Sequence, residues 1–357
     1  MFKFNFDVDD DDTTAEQQNR DESDERPTAV IEKPCTEISL TELLSTLPPV
    51  ISYSPLAIPL TSQRHLTLAR RDLFDARFQL IQSEDSSGAN DVNSSDLEFL
   101  DAPSDLVPGV WDARAEVARN LRGKRVLELG CGTAIPSLYL LNKIFSDTER
   151  LDPDVYIHLQ DYNDLVLRLV TLPNLILAWY MSPASAAYRS TAPASDSEPD
   201  SDASPLPPAD PTQPGELPLT PALTAAFLAS LSAHHVHLHF FAGGWSAFDV
   251  PLTGGPYDLV LTSETIYRPD SLPSLVSLLR RASRPRTLDE LTSELTISDA
   301  PSGCVCLVAA KLVYFGVGGG VSEFVRAVER EGGTVRTVWE HKEGVKRSVM
   351  RVAWAAE

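Results

Sequence analysis

Two runs in the chain place polar residues at the ends of apolar stretches. The first is Val126-Leu127-Glu128-Leu129-Gly130-Cys131-Gly132-Thr133-Ala134. An apolar strand ends there in a Gly-X-Gly turn, and Pro136 stands near the start of a following helix. Glycine allows the sharp turn and a close approach of a ligand to the backbone, which marks Gly130 and Gly132 as cofactor-binding candidates. A pyrophosphate fingerprint needs a third glycine at the helix start, and Ile135 and Pro136 fill that place. Glu128 would repel phosphate and suits a cationic amino-acid moiety. The second run is Thr262-Ser263-Glu264-Thr265-Ile266-Tyr267. In open α/β sheets ligands lie outside the carboxyl ends of the strands, so Ser263, Glu264 and Tyr267 are the candidate catalytic side chains.

Two further sites accompany these runs. Gln160-Asp161-Tyr162-Asn163 closes another apolar stretch, where the Asp161 carboxylate can accept from ribose hydroxyls or cap the next helix. Gly243-Gly244-Trp245 closes a third, where Trp245 either covers an adenine face or packs in the core. Alternation puts His235, His237 and His239 on one strand face. No acidic residue or cysteine stands beside them in sequence, so no metal is expected. Cys35, Cys131, Cys304 and Cys306 are too scattered for a disulfide framework and read as small apolar residues in a reducing compartment.

These residues need a parallel sheet to bring them together. From Asp105 onward, strand-length apolar runs alternate with helical patterns, as in βαβ units. Strands are expected at Arg125–Leu129, Val155–Gln160, Val236–Phe241, Tyr257–Thr262 and Val305–Lys311. A helix at Val321–Arg330 leads to an antiparallel pair, Thr334–Glu340 and Ser348–Trp354. A further helix, Asp112–Leu121, enters the first strand. Residues 105–357 then form the main domain. Residues 1–26 read as a disordered acidic tail. Residues 27–104 read as an extension with short strands at Val50–Tyr53 and Phe78–Ile81. Ser, Pro, Ala and Asp crowd residues 182–220, which read as a flexible, dispensable insertion, and a smaller insertion covers about 283–302.

The 357-residue chain is 43% apolar, enough for a sizeable core, and carries a formal net charge of −21. That field repels nucleic-acid backbones and favours basic partners. The first residues lack a signal-peptide pattern, and no apolar run reaches the length of a membrane span. The expectation is a soluble monomer in the cytoplasm and nucleus.

The Leu-Glu-Leu-Gly-Cys-Gly run resembles motif I of class I S-adenosylmethionine methyltransferases. The resemblance implies an α/β, Rossmann-like fold: a seven-stranded, mostly parallel sheet with helices on both faces, plus the small N-terminal extension. Gln160–Asn163, Val170-Thr171-Leu172-Pro173-Asn174, Leu261–Tyr267 and Lys311–Gly320 narrow it further. Over residues 105–357 the chain resembles the protein-histidine N-methyltransferase family, and Arg70-Arg71-Asp72-Leu73-Phe74 is similar to fungal members. That family methylates a histidine of the third protein of the large ribosomal subunit. The resemblance implies S-adenosyl-L-methionine as cofactor, held by Trp111, Glu128, Gly130, Gly132, Asp161, Trp245 and Ser263. It places Glu264, Ser263 and Tyr267 toward a basic protein substrate, and Tyr314–Gly320 as a loop beside them. The aromatic motif of exocyclic-amine methylases is missing after Thr262, which argues against a nucleobase substrate. Two departures stand out. The family's Tyr-Glu-Gly-Gly-(Leu/Phe)-Lys segment is absent before Trp111-Asp112-Ala113, and Gly244 replaces an acidic residue. Trp111-Asp112 is similar to lysine methyltransferases, which leaves that activity, or a non-catalytic cofactor-binding chaperone of a ribosomal protein, as alternatives.

Overall fold

The computed structural model describes residues 33–61, 64–76, 121, 123–147, 153–191, 206–283, 304–314, 319–341 and 346–354. All lie within one compact unit, Glu32–Glu357. Trp111, most of the expected helix at 112–121, the expected strand at 78–81 and nearly all of the insertion at 283–302 fall outside them.

Five apolar strands, buried along nearly their whole length, build the centre of the sheet. In chain order the strands are β1 (Thr36–Ile38), β2 (Val50–Thr61), β3 (Arg64–Arg71), β4 (Arg125–Leu129), β5 (Val155–Asp161), β6 (Gly215–Pro218), β7 (Val236–Ala242), β8 (Leu259–Ser263), β9 (Val305–Lys311), β10 (Gly333–His341) and β11 (Arg347–Trp354). The main sheet runs β1-β7-β5-β4-β8-β9-β11-β10. The central neighbours β7, β5, β4, β8 and β9 are parallel. β11 runs antiparallel to both β9 and β10.

The helices are α1 (Leu40–Ser45), α2 (Ile135–Ser146), α3 (Asp164–Val166), α4 (Leu172–Tyr180), α5 (Ala186–Thr191), α6 (Pro221–Ala233), α7 (Leu272–Ala282) and α8 (Val321–Arg330). A π-helical turn, Leu167–Thr171, joins α3 to α4. Alternate strand residues feed two cores. Val126, Leu261 and Leu307 pack with α2, α4 and α6. Leu127, Val260 and Val308 pack with α7 and α8. Helices therefore cover both faces, as a parallel sheet requires. Among the described residues no single helix is long and apolar enough to cross a membrane.

Two expectations are corrected. The main sheet has eight strands rather than seven, because the N-terminal β1 pairs antiparallel with β7. The chain just before β1 also packs on the turn after β7. The Gly244 N–H donates to the Lys33 carbonyl at 2.9 Å, and a Cβ at Gly243 would fall on Pro34. The second correction concerns residues 182–220. Their described part holds α5 and β6, and β6 completes a three-stranded sheet with β2 and β3. Leu217 of β6 is fully buried in the main core. Small and proline residues gave the stretch a loop-like composition, but a short Leu-centred strand suffices to anchor it.

Candidate active site

The carboxyl ends of β4, β5, β7 and β8 meet around the Gly-X-Gly turn. Gly130 and Gly132 have φ of +57° and +51°, the left-handed region that favours glycine. Their neighbours differ. A Cβ at Gly130 would lie 2.6 Å from the Thr265 methyl and 3.7 Å from the Trp245 ring, whereas one at Gly132 would meet nothing within 4 Å among the described residues. Gly130 is thus required by protein packing, and Gly132 faces the open space in which a ligand can lie.

Asp161, at the end of β5, is nearly buried and accepts from the Gly132 N–H at 2.9 Å and from the Asn163 N–H at 3.2 Å. Burial pushes its carboxyl up, and these backbone bonds oppose the shift. The helix cap is Asn163, whose side chain accepts from the Leu165 N–H at 3.0 Å. Asp161 is therefore not the cap, and with the Tyr162 N–H as a third backbone donor the carboxylate keeps lone-pair capacity for one further donor. Trp245 is half-buried, and its indole N–H donates to Gln160 at 2.8 Å.

Glu128 is placed differently from its sequence reading. It is buried to 2% exposure, and its Oε2 accepts from both the backbone N–H and the hydroxyl of Ser137, at 3.0 and 2.5 Å. That oxygen serves donors in the first turn of α2. Burial drives the carboxyl from 4.5 up to about 7, against the Ser137 bonds. A carboxyl with a raised folded value binds its proton more tightly folded than unfolded, so stability falls as pH rises through that window. At 1.36 kcal/mol per unit the loss is roughly 3 kcal/mol. Glu128→Gln removes it. Denaturation midpoints measured from about pH 5 to about pH 8 should fall for the wild type and stay flatter for the variant; equal slopes refute the assignment.

At the end of β8, Thr262 donates to the Leu129 carbonyl at 2.9 Å and bonds Thr265 at 2.7 Å, which fixes Thr265 over Gly130. Ser263 ends the strand, half-buried. Glu264 follows with φ +57°, a left-handed conformation that costs a non-glycine residue of order 1–3 kcal/mol. Its Oε2 accepts from the Tyr314 hydroxyl at 2.7 Å. Its Oε1 is buried without a hydrogen-bond partner among the described residues. Burial pushes this carboxyl up too, opposed by Tyr314, Lys311 and Arg347. Tyr267 is half-buried, with its ring 6.1 Å from that of Tyr314. Burial raises its hydroxyl, opposed by Arg268 and reinforced by the charge of Asp161.

Sequence reading placed the supports in motifs but gave them no role. Gln160 is fully buried; its Oε1 accepts from Trp245 and from the Gly130 N–H at 3.3 Å, and its Nε2 donates to the Gly243 carbonyl at 2.7 Å. Thr171 and Asn174 donate to the Gly132 and Thr133 carbonyls at 2.6 and 3.1 Å. Each is a polar residue inside an apolar run, which is the signal that was available.

The histidines have acidic partners that sequence proximity did not reveal. His235 and His237 lie 2.9 and 3.4 Å from Asp154, and His239 lies 2.7 Å from Glu37 of β1. His158, buried beside them, bonds Tyr257 at 2.9 Å, and burial drives it down to about 3. Among the described residues no three His, Cys, Asp or Glu side chains are grouped to hold a metal.

The strand order, the reversed β11 and the glycine turn after the first central strand define a Rossmann-like methyltransferase fold. No protein-family model matches the chain. The chain is 30% identical over 358 residues to histidine protein methyltransferase 1 of Schizosaccharomyces pombe, covering 94% of this chain and 88% of that one. To the Saccharomyces cerevisiae protein of the same name it is 29% identical, covering 72% and 67%. It is also 29% identical to the Bos taurus homolog, covering 74% and 56%. The chain belongs to the histidine protein methyltransferase family. Among solved structures, magnesium protoporphyrin IX methyltransferase of Synechocystis PCC 6803 with bound SAH has a TM-score of 0.33 at 11% identity, covering 79% of this chain and 100% of that one.

Proposed function

We propose that the chain transfers a methyl group from S-adenosyl-L-methionine to a histidine ring nitrogen of a large-subunit ribosomal protein. The observation that carries this reading is the Glu264 carboxylate. It is held at the end of β8 with one buried oxygen that has no partner among the described residues, beside a glycine turn that those residues leave open in front. A buried acceptor without a donor marks a place where a ligand N–H belongs. The residues around the turn suit the cofactor: Gly132 leaves it room, Asp161 offers carboxylate lone pairs, and Trp245 presents a fixed ring. S-adenosylmethionine supplies an electrophilic methyl group when bound.

A neutral imidazole, with a usual pKa near 6.5, needs no base before it attacks. The remaining task is alignment and choice of tautomer. Glu264 Oε1 accepts the N–H of one ring nitrogen and leaves the lone pair of the other exposed. Ser263 and Tyr267 flank it. The formal charge of −21 draws a basic protein. This reading has the chain work as a monomer in cytoplasm and nucleus, where ribosomal proteins are made and assembled. Mass spectrometry of large-subunit proteins from cells lacking the chain should show one histidine losing its methyl group, and the purified chain with S-adenosylmethionine should restore it. A lost methyl-lysine instead, or no change, refutes the reading.

A further inference from the structure

Tyr314 lies three residues beyond the end of β9, and its hydroxyl has two partners. It accepts from the Lys311 backbone N–H at 3.3 Å and donates to Glu264 Oε2 at 2.7 Å. A phenol has one hydrogen. The Lys311 N–H is itself a donor, so that hydrogen is committed to Oε2. The Lys311 ammonium stands 4.0 Å from the same oxygen. The two carboxylate oxygens of Glu264 are therefore inequivalent: Oε2 is occupied and Oε1 is buried and vacant of partners among the described residues. The chain beyond Tyr314 returns to the site, since a Cβ at Gly319 would fall on the Tyr267 carbonyl.

We propose that Tyr314 is a positioning residue that fixes which imidazole nitrogen is methylated. By holding Oε2 it leaves Oε1 as the single acceptor for a substrate ring N–H, so one tautomer is bound in one orientation. This rests on the reading of Glu264 as the imidazole acceptor. Tyr314 has a second effect. The groups facing Glu264 are Tyr314 from the β9–α8 loop, Lys311 from β9 and Arg347 from β11, with the Tyr267 ring against Tyr314. The Tyr314 bond helps keep the carboxylate ionised against its burial.

The test compares Tyr314→Phe and Glu264→Gln with the wild type. Large ribosomal subunits from cells lacking the chain are the substrate, across a pH series, with the two methyl-histidine isomers separated by mass spectrometry. Tyr314→Phe should retain the wild-type melting temperature within a few degrees. Its turnover near neutral pH should fall about tenfold, as expected for a lost bond to a charged group. The acid limb of its rate profile should move to higher pH, and the second isomer should appear. A packing role alone would move neither the acid limb nor the isomer ratio. If both stay put while Glu264→Gln is impaired, the role of Tyr314 is wrong and Glu264 stands. If Glu264→Gln is unimpaired, the underlying reading fails and the Tyr314 proposal fails with it.

Discussion

Glu264→Gln should lower turnover by roughly ten- to a hundredfold, the kinetic equivalent of losing a bond to a charged group worth roughly 1.5–3 kcal/mol. The structure explains why so small a change matters. The Tyr314 hydroxyl donates to Oε2, so the amide oxygen of the variant takes that place. Its NH2 group then occupies the position of Oε1 and points a donor at a substrate N–H. The variant loses its acceptor and gains a repulsion. Cofactor affinity should stay within a factor of a few, because of the cofactor candidates only Ser263 stands at the β8 end beside Glu264, whereas Gly130, Gly132, Asp161 and Trp245 stand at the ends of β4, β5 and β7. A structural role predicts the reverse, a lower melting temperature with turnover per folded molecule intact. Single-turnover rate and melting temperature, measured on the same preparation, separate the two. The acid limb of the wild-type profile should also lie above the ordinary glutamate range, because burial raises this carboxyl and it accepts an N–H more strongly when ionised.

The sheet was legible because its strands are buried on both faces and therefore appear as uninterrupted apolar runs. β4, β5, β7 and β9 match their expected spans to within a residue, as does helix α8. The antiparallel pair β10–β11 lies at the edge of the sheet, with β10 largely exposed and β11 mostly buried. β1 was not readable. Three residues, Thr36–Ile38, carry no periodicity, and only the open edge of β7 makes them a strand. β6 was hidden likewise by its neighbours in composition. Within the site, sequence indicated the strand-end residues, because position at a carboxyl end is a local property. It did not indicate which polar atoms were already taken. That Glu128 serves Ser137, nine residues on, and that Glu264 keeps one oxygen without a partner among the described residues, are facts of folded distance. The histidine stripe shows the same limit: Glu37 lies 202 positions from His239 in sequence and 2.7 Å away in space.

Gln160→Leu should produce the larger combined loss of stability and cofactor binding. The side chain lies wholly inside the sheet and ties three strand ends together. Its oxygen serves the Trp245 indole and the Gly130 N–H, and its nitrogen serves the Gly243 carbonyl. Leucine matches the volume and supplies none of these bonds. Unsatisfied buried groups cost about 1–3 kcal/mol each, so a stability loss of about 3 kcal/mol or more is expected. The functional loss comes through Trp245 and Gly130. With its N–H released, the indole is free to turn, and the Gly130 turn loses one of its anchors. Cofactor affinity should drop by tenfold or more, about 1.4 kcal/mol, even under conditions where the variant is fully folded. Gln160→Glu is the discriminating control. It keeps the acceptor for Trp245 and Gly130 but turns a carboxylate toward the Gly243 carbonyl, so it should lose stability while retaining more cofactor affinity than leucine. Calorimetric titration with S-adenosylmethionine, alongside denaturant melts of both variants, reads the two quantities separately. Equal cofactor affinity in leucine variant and wild type would mean that Trp245 and the glycine turn hold their places without Gln160.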